Sequence, residues 1–208
     1  TLKESVDLSK SDLKNLRDKQ LDILIQKHVA NGGYVVGICG GYQMLGEEII
    51  DEAGSDTGIP KAKVKGLGSI PAITTFYNEK ETKRVIGQYH IGTGLPINQQ
   101  VEGYEIHLGK TVFSKKGCPF LSFVYGEAEG YFANGGQIIG TSLHHLFHND
   151  EWRNEWLNMI RKKKGIPNQG ARYISEYKDK RFDFIAAQMK SHLKWDLIKK
   201  IINQWGSK

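Results

Sequence analysis

Cysteine is nearly absent: the 208 residues hold two, Cys39 and Cys118. Two thiols cannot staple a small secreted scaffold, so the fold has to rest on a hydrophobic core and each cysteine is judged by its own surroundings. Proline is sparse too, with 5 residues, which leaves long stretches free to form regular elements. No apolar run approaches the length of a bilayer span or a signal-peptide core. A reducing cytoplasm is therefore the expected setting, with no membrane partner. Acidic residues do not dominate either, since 29 Lys and Arg face 23 Asp and Glu for a net charge of +6. The lysines are dispersed, and the one dense run, Arg161-Lys162-Lys163-Lys164, has no aromatic interleaving. It reads as a solvated helix end, and no nucleic-acid partner is expected. Internal repeats and low-complexity segments are absent.

What is present fits one globular domain over 1–208, with 39% hydrophobic and 25% charged residues. The most informative stretch runs Tyr34-Val-Val-Gly-Ile-Cys39-Gly-Gly-Tyr-Gln-Met-Leu-Gly46. Val35, Val36 and Ile38 read as a buried strand, and Gly37, Gly40 and Gly41 permit a tight turn and close backbone approach. Gly37-x-Cys39-x-Gly41 has the spacing of a hydrolase nucleophile elbow with sulfur in place of oxygen. A helix starting just after Cys39 stabilises a thiolate, and the Gly40 N–H can serve as one oxyanion donor in acyl transfer. No such context surrounds Cys118, which is expected to be inert.

Upstream, Leu13, Leu16, Leu21, Leu24, Ile25 and Val29 predict a helix from Ser9, with Ser11 or Asp12 as cap and Asn31-Gly32-Gly33 as its stop. Strands are predicted in Gly66–Phe76, Val85–Ile91, Val101–Leu108, Phe120–Tyr125, around Tyr131 and in Gln137–Leu143. Residues 51–63 are polar and turn-rich. From Glu151 onward, Trp152, Trp156 and Ile160, then Phe182, Ile185, Met189, Leu193, Leu197 and Ile201, predict two helices joined near Gly165-Ile-Pro167. Strands alternating with helices point to an α/β or mixed architecture.

The cluster Gly140-Thr-Ser-Leu-His144-His145-Leu-Phe-His148 closes a predicted strand, where an open α/β sheet places reactive groups. One imidazole there can take the Cys39 proton and return it to a leaving amine. His144 and His148 lack the nearby Glu or Cys of a specific metal signature, so no metal is expected. His28, His90 and His192 have no comparable context. Gly103-Tyr-Glu-Ile-His-Leu-Gly109-Lys110-Thr111 imitates a phosphate loop, but five residues separate its glycines where four are required. ATP binding by this chain is not expected.

Three motifs, Gly37-Ile-Cys39-Gly-Gly-Tyr-Gln-Met-Leu-Gly46, Gly103–Gly109 and Gly140–Phe147, resemble the glutamine amidotransferase domain of the cobyric acid synthase group. Gly66-Leu-Gly68, Thr74-Thr75-Phe76 and the tail from Lys180-Arg-Phe-Asp-Phe-Ile185 extend that resemblance over essentially the whole chain. It implies an open, mostly parallel α/β sheet flanked by helices, the flavodoxin-like class I amidotransferase fold. It also implies that Cys39 attacks the glutamine amide, that His144 acts as acid and base, that Gly40 supplies a backbone oxyanion donor, and that Gln43 helps bind substrate. Many class I relatives carry a glutamate two residues after the histidine; Leu146 stands there, so a Cys–His dyad is expected. Ser142 and His145 stand where an aromatic residue and a glycine are more usual.

The chain opens on Thr1, where the family places a Pro-Gly-Ser or Pro-Gly-Thr loop just upstream, so an N-terminal truncation is expected. An oxyanion donor and an ATP-dependent amidoligase domain with its ATP and Mg would then lie elsewhere, and the chain alone would be poorly active. The implied partners are glutamine, a corrinoid substrate and that amidoligase domain. The alternatives are an amidotransferase subunit acting on a cell-wall lipid precursor, or a non-catalytic interaction domain with the same fold.

Overall fold

A computed structural model of the protein describes residues 8–205 apart from positions 56, 94, 96–98 and 191. The expectation attached to Thr1 and its upstream loop lies outside the described residues. The contacts divide the chain after Asn168 into two compact units, where composition alone suggests a single domain.

The first unit opens with α1 (Leu8–Asp18) and α2 (Leu21–Ala30), where one helix is predicted. Asp18-Lys19-Gln20 gives a continuous helix nothing to bury at its middle, and Gln20 turns left-handed with φ 56°. Ser11 and Asp12 therefore lie inside α1 and are not its cap, whereas Asn31 does close α2. Then follow β1 (Val35–Ile38), α3 (Gly40–Leu45), β2 (Glu48–Asp51), β3 (Ala62–Lys65) and β4 (Ala72–Tyr89). After these come β5 (Gln100–Phe113), β6 (Leu121–Phe123), β7 (Ala128–Glu129), β8 (Tyr131–Ala133), β9 (Ile138–Thr141), β10 (Leu143–His144) and α4 (Asp150–Lys163). The polar stretch after β2 is organised by buried Asp51, whose carboxylate accepts from the N–H and hydroxyl groups of Ser55 and Thr57.

Among the described residues the strands form two sheets, ordered β1-β9-β8 and β10-β5-β4-β2-β3, with β6 added to β4 and β7 to β6. The α/β class holds, but parallel pairing is confined to β1/β9 and β2/β4, and the other pairs run antiparallel. The expected mostly parallel sheet gives way because short connections favour hairpins over crossovers. The separate strands predicted in 66–76 and 85–91 are one strand, β4, paired with β5 and interrupted by a register shift between Phe76 and Glu81.

β9 lies between two cores. Ile138 joins Leu13, Tyr42, Leu45, Ile49 and Ile70 on one side; Ile139 joins Phe120, Phe132, Leu143, Leu146 and Trp152 on the other. This is the period-two alternation of a strand buried on both faces. At the end of α4 the basic run is more than solvated charge, because the Lys163 amine donates to the Gly32 carbonyl and lies over the Tyr34 ring.

The second unit contains α5 (Ile174–Lys190) and α6 (Trp195–Trp205). The predicted final helix is thus two helices, and its apolar residues Phe182, Ile185, Met189, Leu197 and Ile201 are exposed.

Candidate active site

The site begins with a matched pair of glycines. Gly37 of β1 and Gly140 of β9 are register partners, and α3 closes onto both. A Cβ on Gly37 would stand 2.6 Å from Leu45 Cδ1, and one on Gly140 would stand 2.3 Å from the Tyr42 ring. The two bare backbones let α3 approach the sheet directly after β1, and Cys39 occupies the resulting corner. Gly40 and Gly41 serve differently from expectation: a Cβ on either would meet nothing within 4 Å, and the positive φ belongs to Cys39 itself. The corner therefore has open space over the first turn of α3.

Cys39 has φ 51° and ψ −116°, a strained conformation for a side-chain-bearing residue. Its N–H donates to the Thr141 carbonyl at 2.9 Å, its carbonyl accepts the Gln43 N–H at 3.1 Å, and its Sγ donates to the Ile106 carbonyl at 3.4 Å. The elbow is thus fastened to β9 and β5 as well as to α3. The helix behind it has six residues, so what it offers a developing anion is local N–H groups, not a long macrodipole.

His144 ends β10, in register with Tyr104 of β5. Ile106, whose carbonyl touches Cys39 Sγ, lies two residues further along the same strand. Thr141, whose carbonyl holds the Cys39 N–H, lies three residues before His144. Cys39 is thus bonded to β9 and β5, and His144 ends β10, which follows β9 in the chain and pairs with β5. His144 Nε2 is buried and, among the described residues, has no hydrogen-bond partner. That ring nitrogen is thus a proton site that no described residue uses.

The remaining predicted residues lie on α3 and on the β10 hairpin. Gly40 is the first residue of α3, and Gln43 is buried within that helix. Leu146 is fully buried in the core, which explains why no carboxylate occupies the position two residues after the histidine. His145 has φ 69°, the left-handed region that favours glycine, and its ring lies against Tyr104 and His148. Gly103 is required by the other side of the hairpin, because a Cβ there would lie 2.0 Å from the His144 carbonyl oxygen. Gly103–Thr111 is strand, not a loop, so it forms no phosphate cradle. Among the described residues no group of three or more His, Cys, Asp or Glu could hold a metal ion, and no helix is long and apolar enough to cross a membrane.

Sequence reasoning missed Glu129. This β7 residue is 8% exposed, and its carboxylate accepts from Thr141 Oγ1 at 2.7 Å and from the Ser142 N–H at 2.6 Å. Burial pushes the carboxyl up to about 7, against the opposing pull of these hydrogen bonds, and the Glu105 charge adds to the rise. Tyr42 is pushed up by burial and then by Glu129. Nothing in Glu127-Ala-Glu-Gly130 signals such a role, since the stretch reads as a polar turn.

Residues 9–152 match the model of the CobB/CobQ-like glutamine amidotransferase domain. The chain is 39% identical over 172 residues to a cobyric acid synthase of Geobacillus kaustophilus, covering 83% of this chain and 33% of that protein. It is 35% identical over 203 residues to the cobyric acid synthase of Citrobacter koseri, covering 93% and 39%. The chain thus spans roughly a third of the length of these curated relatives. A solved glutamine amidotransferase aligns with TM-score 0.47 at 16% identity, over 73% of this chain and 74% of that one. With the family model covering most of the first unit, including the elbow and the histidine hairpin, the chain belongs to the CobB/CobQ-like glutamine amidotransferase domain family.

Proposed function

We propose that this chain is the glutaminase part of a cobyric acid synthase type of enzyme, releasing ammonia from glutamine for ATP-dependent amidation of corrinoid carboxylates. The observation that carries the reading is the corner itself: a cysteine at positive φ whose N–H is held by the strand leading into His144, with His144 Nε2 buried and unpartnered. Cys39 Sγ attacks the glutamine side-chain amide carbon while His144 takes the thiol proton. The oxyanion of the tetrahedral intermediate lies at the Gly40 N–H, over the open first turn of α3. His144 returns the proton to the departing nitrogen, ammonia leaves, and a γ-glutamyl thioester remains. Water activated by His144 then hydrolyses the thioester to glutamate and frees the thiol. Gln43 shapes the glutamine pocket from the buried side of α3.

The glycine-rich stretch Gly103–Thr111 is part of a strand and forms no phosphate cradle. The ATP and Mg chemistry is assigned within the same proposal to an amidoligase region outside these 208 residues. The curated relatives carry the name cobyric acid synthase, which favours a corrinoid acceptor over a cell-wall lipid precursor.

Glutamate and ammonia release from glutamine tests the proposal, measured on this chain and on the polypeptide extended to the length of its relatives. The expected result is slow release from the chain, faster release from the longer polypeptide, and none from either with Cys39→Ser. Release that survives Cys39→Ser would overturn the thioester reading.

A further inference from the structure

The dyad residues sit on separate strands, and one buried side chain ties together the segment that joins them. Thr141 is the joint. Its carbonyl holds the Cys39 N–H, while its hydroxyl donates to Glu129 Oε2 and accepts the Leu143 N–H at 3.0 Å. The next residue, Ser142, donates its N–H to Glu129 Oε1. One carboxylate thus fixes Thr141 and Ser142 directly and Leu143 through the threonine hydroxyl, and His144 follows immediately. Leu146 occupies the position where many class I relatives orient the histidine with a carboxylate, and the core around it is closed.

We propose that Glu129 is the positioning residue of this site, its carboxylate setting the 141–143 backbone so that the Thr141 carbonyl and the His144 imidazole are held together. This inference rests on the dyad reading above. The ionised carboxylate accepts both bonds as they stand. On protonation the carboxyl has to donate, and the groups that can receive its hydrogen are the hydroxyls of Thr141 and Ser142, both of which bond to the carboxylate. One of those hydroxyls must then become the acceptor and turn its own hydrogen elsewhere. The two states of Glu129 therefore demand different arrangements of the joint. The titratable and charged groups facing it are Tyr42 on α3 and Glu105 on β5, and Lys83 on β4 lies 3.3 Å from Glu105. With the carboxyl raised to about 7 by its burial, the exchange between arrangements falls near neutral pH. The ionised form is the competent one, so activity rises with pH through that region.

The test is the rate at which a chloroketone analogue of glutamine alkylates Cys39 in the 208-residue chain, followed from about pH 5.5 to 8.5 with apparent affinity separated from the inactivation rate. In the unaltered chain the ionisation of Glu129 steepens the acid limb. Glu129→Gln keeps an acceptor for Ser142 but presents an amide to Thr141, mimicking the protonated state. It is expected to slow inactivation about 10-fold, a typical loss when an orienting group is removed, with affinity changed less than about twofold and the limb less steep. Thr141→Val is the second variant. It removes a bond that holds the Glu129 carboxyl down, so the Glu129 ionisation moves to higher pH. An acid limb unchanged in steepness in Glu129→Gln, or unmoved in Thr141→Val, would overturn the positioning role. Labelling that depends on His144 but ignores Glu129 sinks this inference alone, whereas labelling equally fast in His144→Ala sinks the dyad reading beneath it.

Discussion

Two cysteine–histidine pairs occupy the first unit, and they differ in everything except composition. Cys118 Sγ lies 4.0 Å from His90 Nδ1. Yet His90 Nδ1 already accepts the Gly92 N–H, Cys118 donates to the neighbouring Pro119 carbonyl, and burial pushes the Cys118 thiol up. At the other corner the backbone is strained, bonds to β9, β5 and α3 hold Cys39, and His144 Nε2 is buried with no partner among the described residues. Proximity of sulfur to imidazole is thus a poor mark of chemistry. Strain maintained by surrounding bonds, together with an open proton site, is a better one.

The widest separation of the two regions is expected in turnover. His144→Ala should lower glutamine hydrolysis by ~1000-fold or more, as loss of a general base does in nucleophilic hydrolases, while His90→Ala should stay within about threefold. Steady-state rates on folded variants decide this, and equal losses would erase the distinction. One added methyl gives a second contrast. Gly103→Ala drives a Cβ into the His144 carbonyl, which is backbone and cannot swing away; a loss of ~3 kcal/mol in stability is expected from denaturant titration. Gly92→Ala meets Cys118 Sγ at 2.9 Å and the His90 ring, both ends of side chains, so a cost below ~1 kcal/mol is expected.

Stability against pH probes the active corner alone. Glu129 is raised in the folded state from 4.5 to about 7, so its protonated form is the one folding favours. That contribution is fully present below about 4.5 and is lost as pH rises through about 7. Relative to Glu129→Gln, the unaltered chain should therefore lose ~2–3 kcal/mol between those limits, read from denaturation midpoints at each pH. A flat difference would mean the carboxyl is not held up. The smallest effect is expected in labelling: iodoacetamide near neutral pH should modify Cys39 about 10-fold faster than Cys118, whose raised thiol leaves little thiolate. Peptide mass spectrometry measures both in one sample, and equal rates would remove the contrast.

Cys39 and His144 were legible because each follows a β-branched run that reads as a buried strand, and because glycines beside the cysteine announce a close approach. The role of Gly140 was not legible, since it depends on pairing with Gly37 across most of the first unit. Glu129 was hidden for the same reason: its neighbours read as a turn, and only the distant Thr141 and Ser142 explain its burial. The continuity of β4 escaped notice because Asn78-Glu-Lys-Glu-Thr-Lys-Arg84 is too polar to look like a strand, although pairing with β5 carries part of it through. Helical spacing in 182–201 was read as one helix, whereas α5 ends at Lys190 and α6 begins at Trp195. Periodicity says which residues share a face but not what covers it, and these side chains are exposed.

The register of β1 on β9, with Val35 opposite Ile138, also sets the order in which the protein can become competent. α1, α2 and the β4–β5 ribbon close over short stretches of chain, whereas this pairing closes a loop containing nearly every other strand. Contacts so remote along the chain are entropically late, and they are slow to form. A polypeptide in which this pairing has not formed therefore lacks the bond from the Cys39 N–H to the Thr141 carbonyl that fastens the corner. Competence is a property of the finished topology, and it vanishes with the first long-range opening even while the helices and hairpins remain intact.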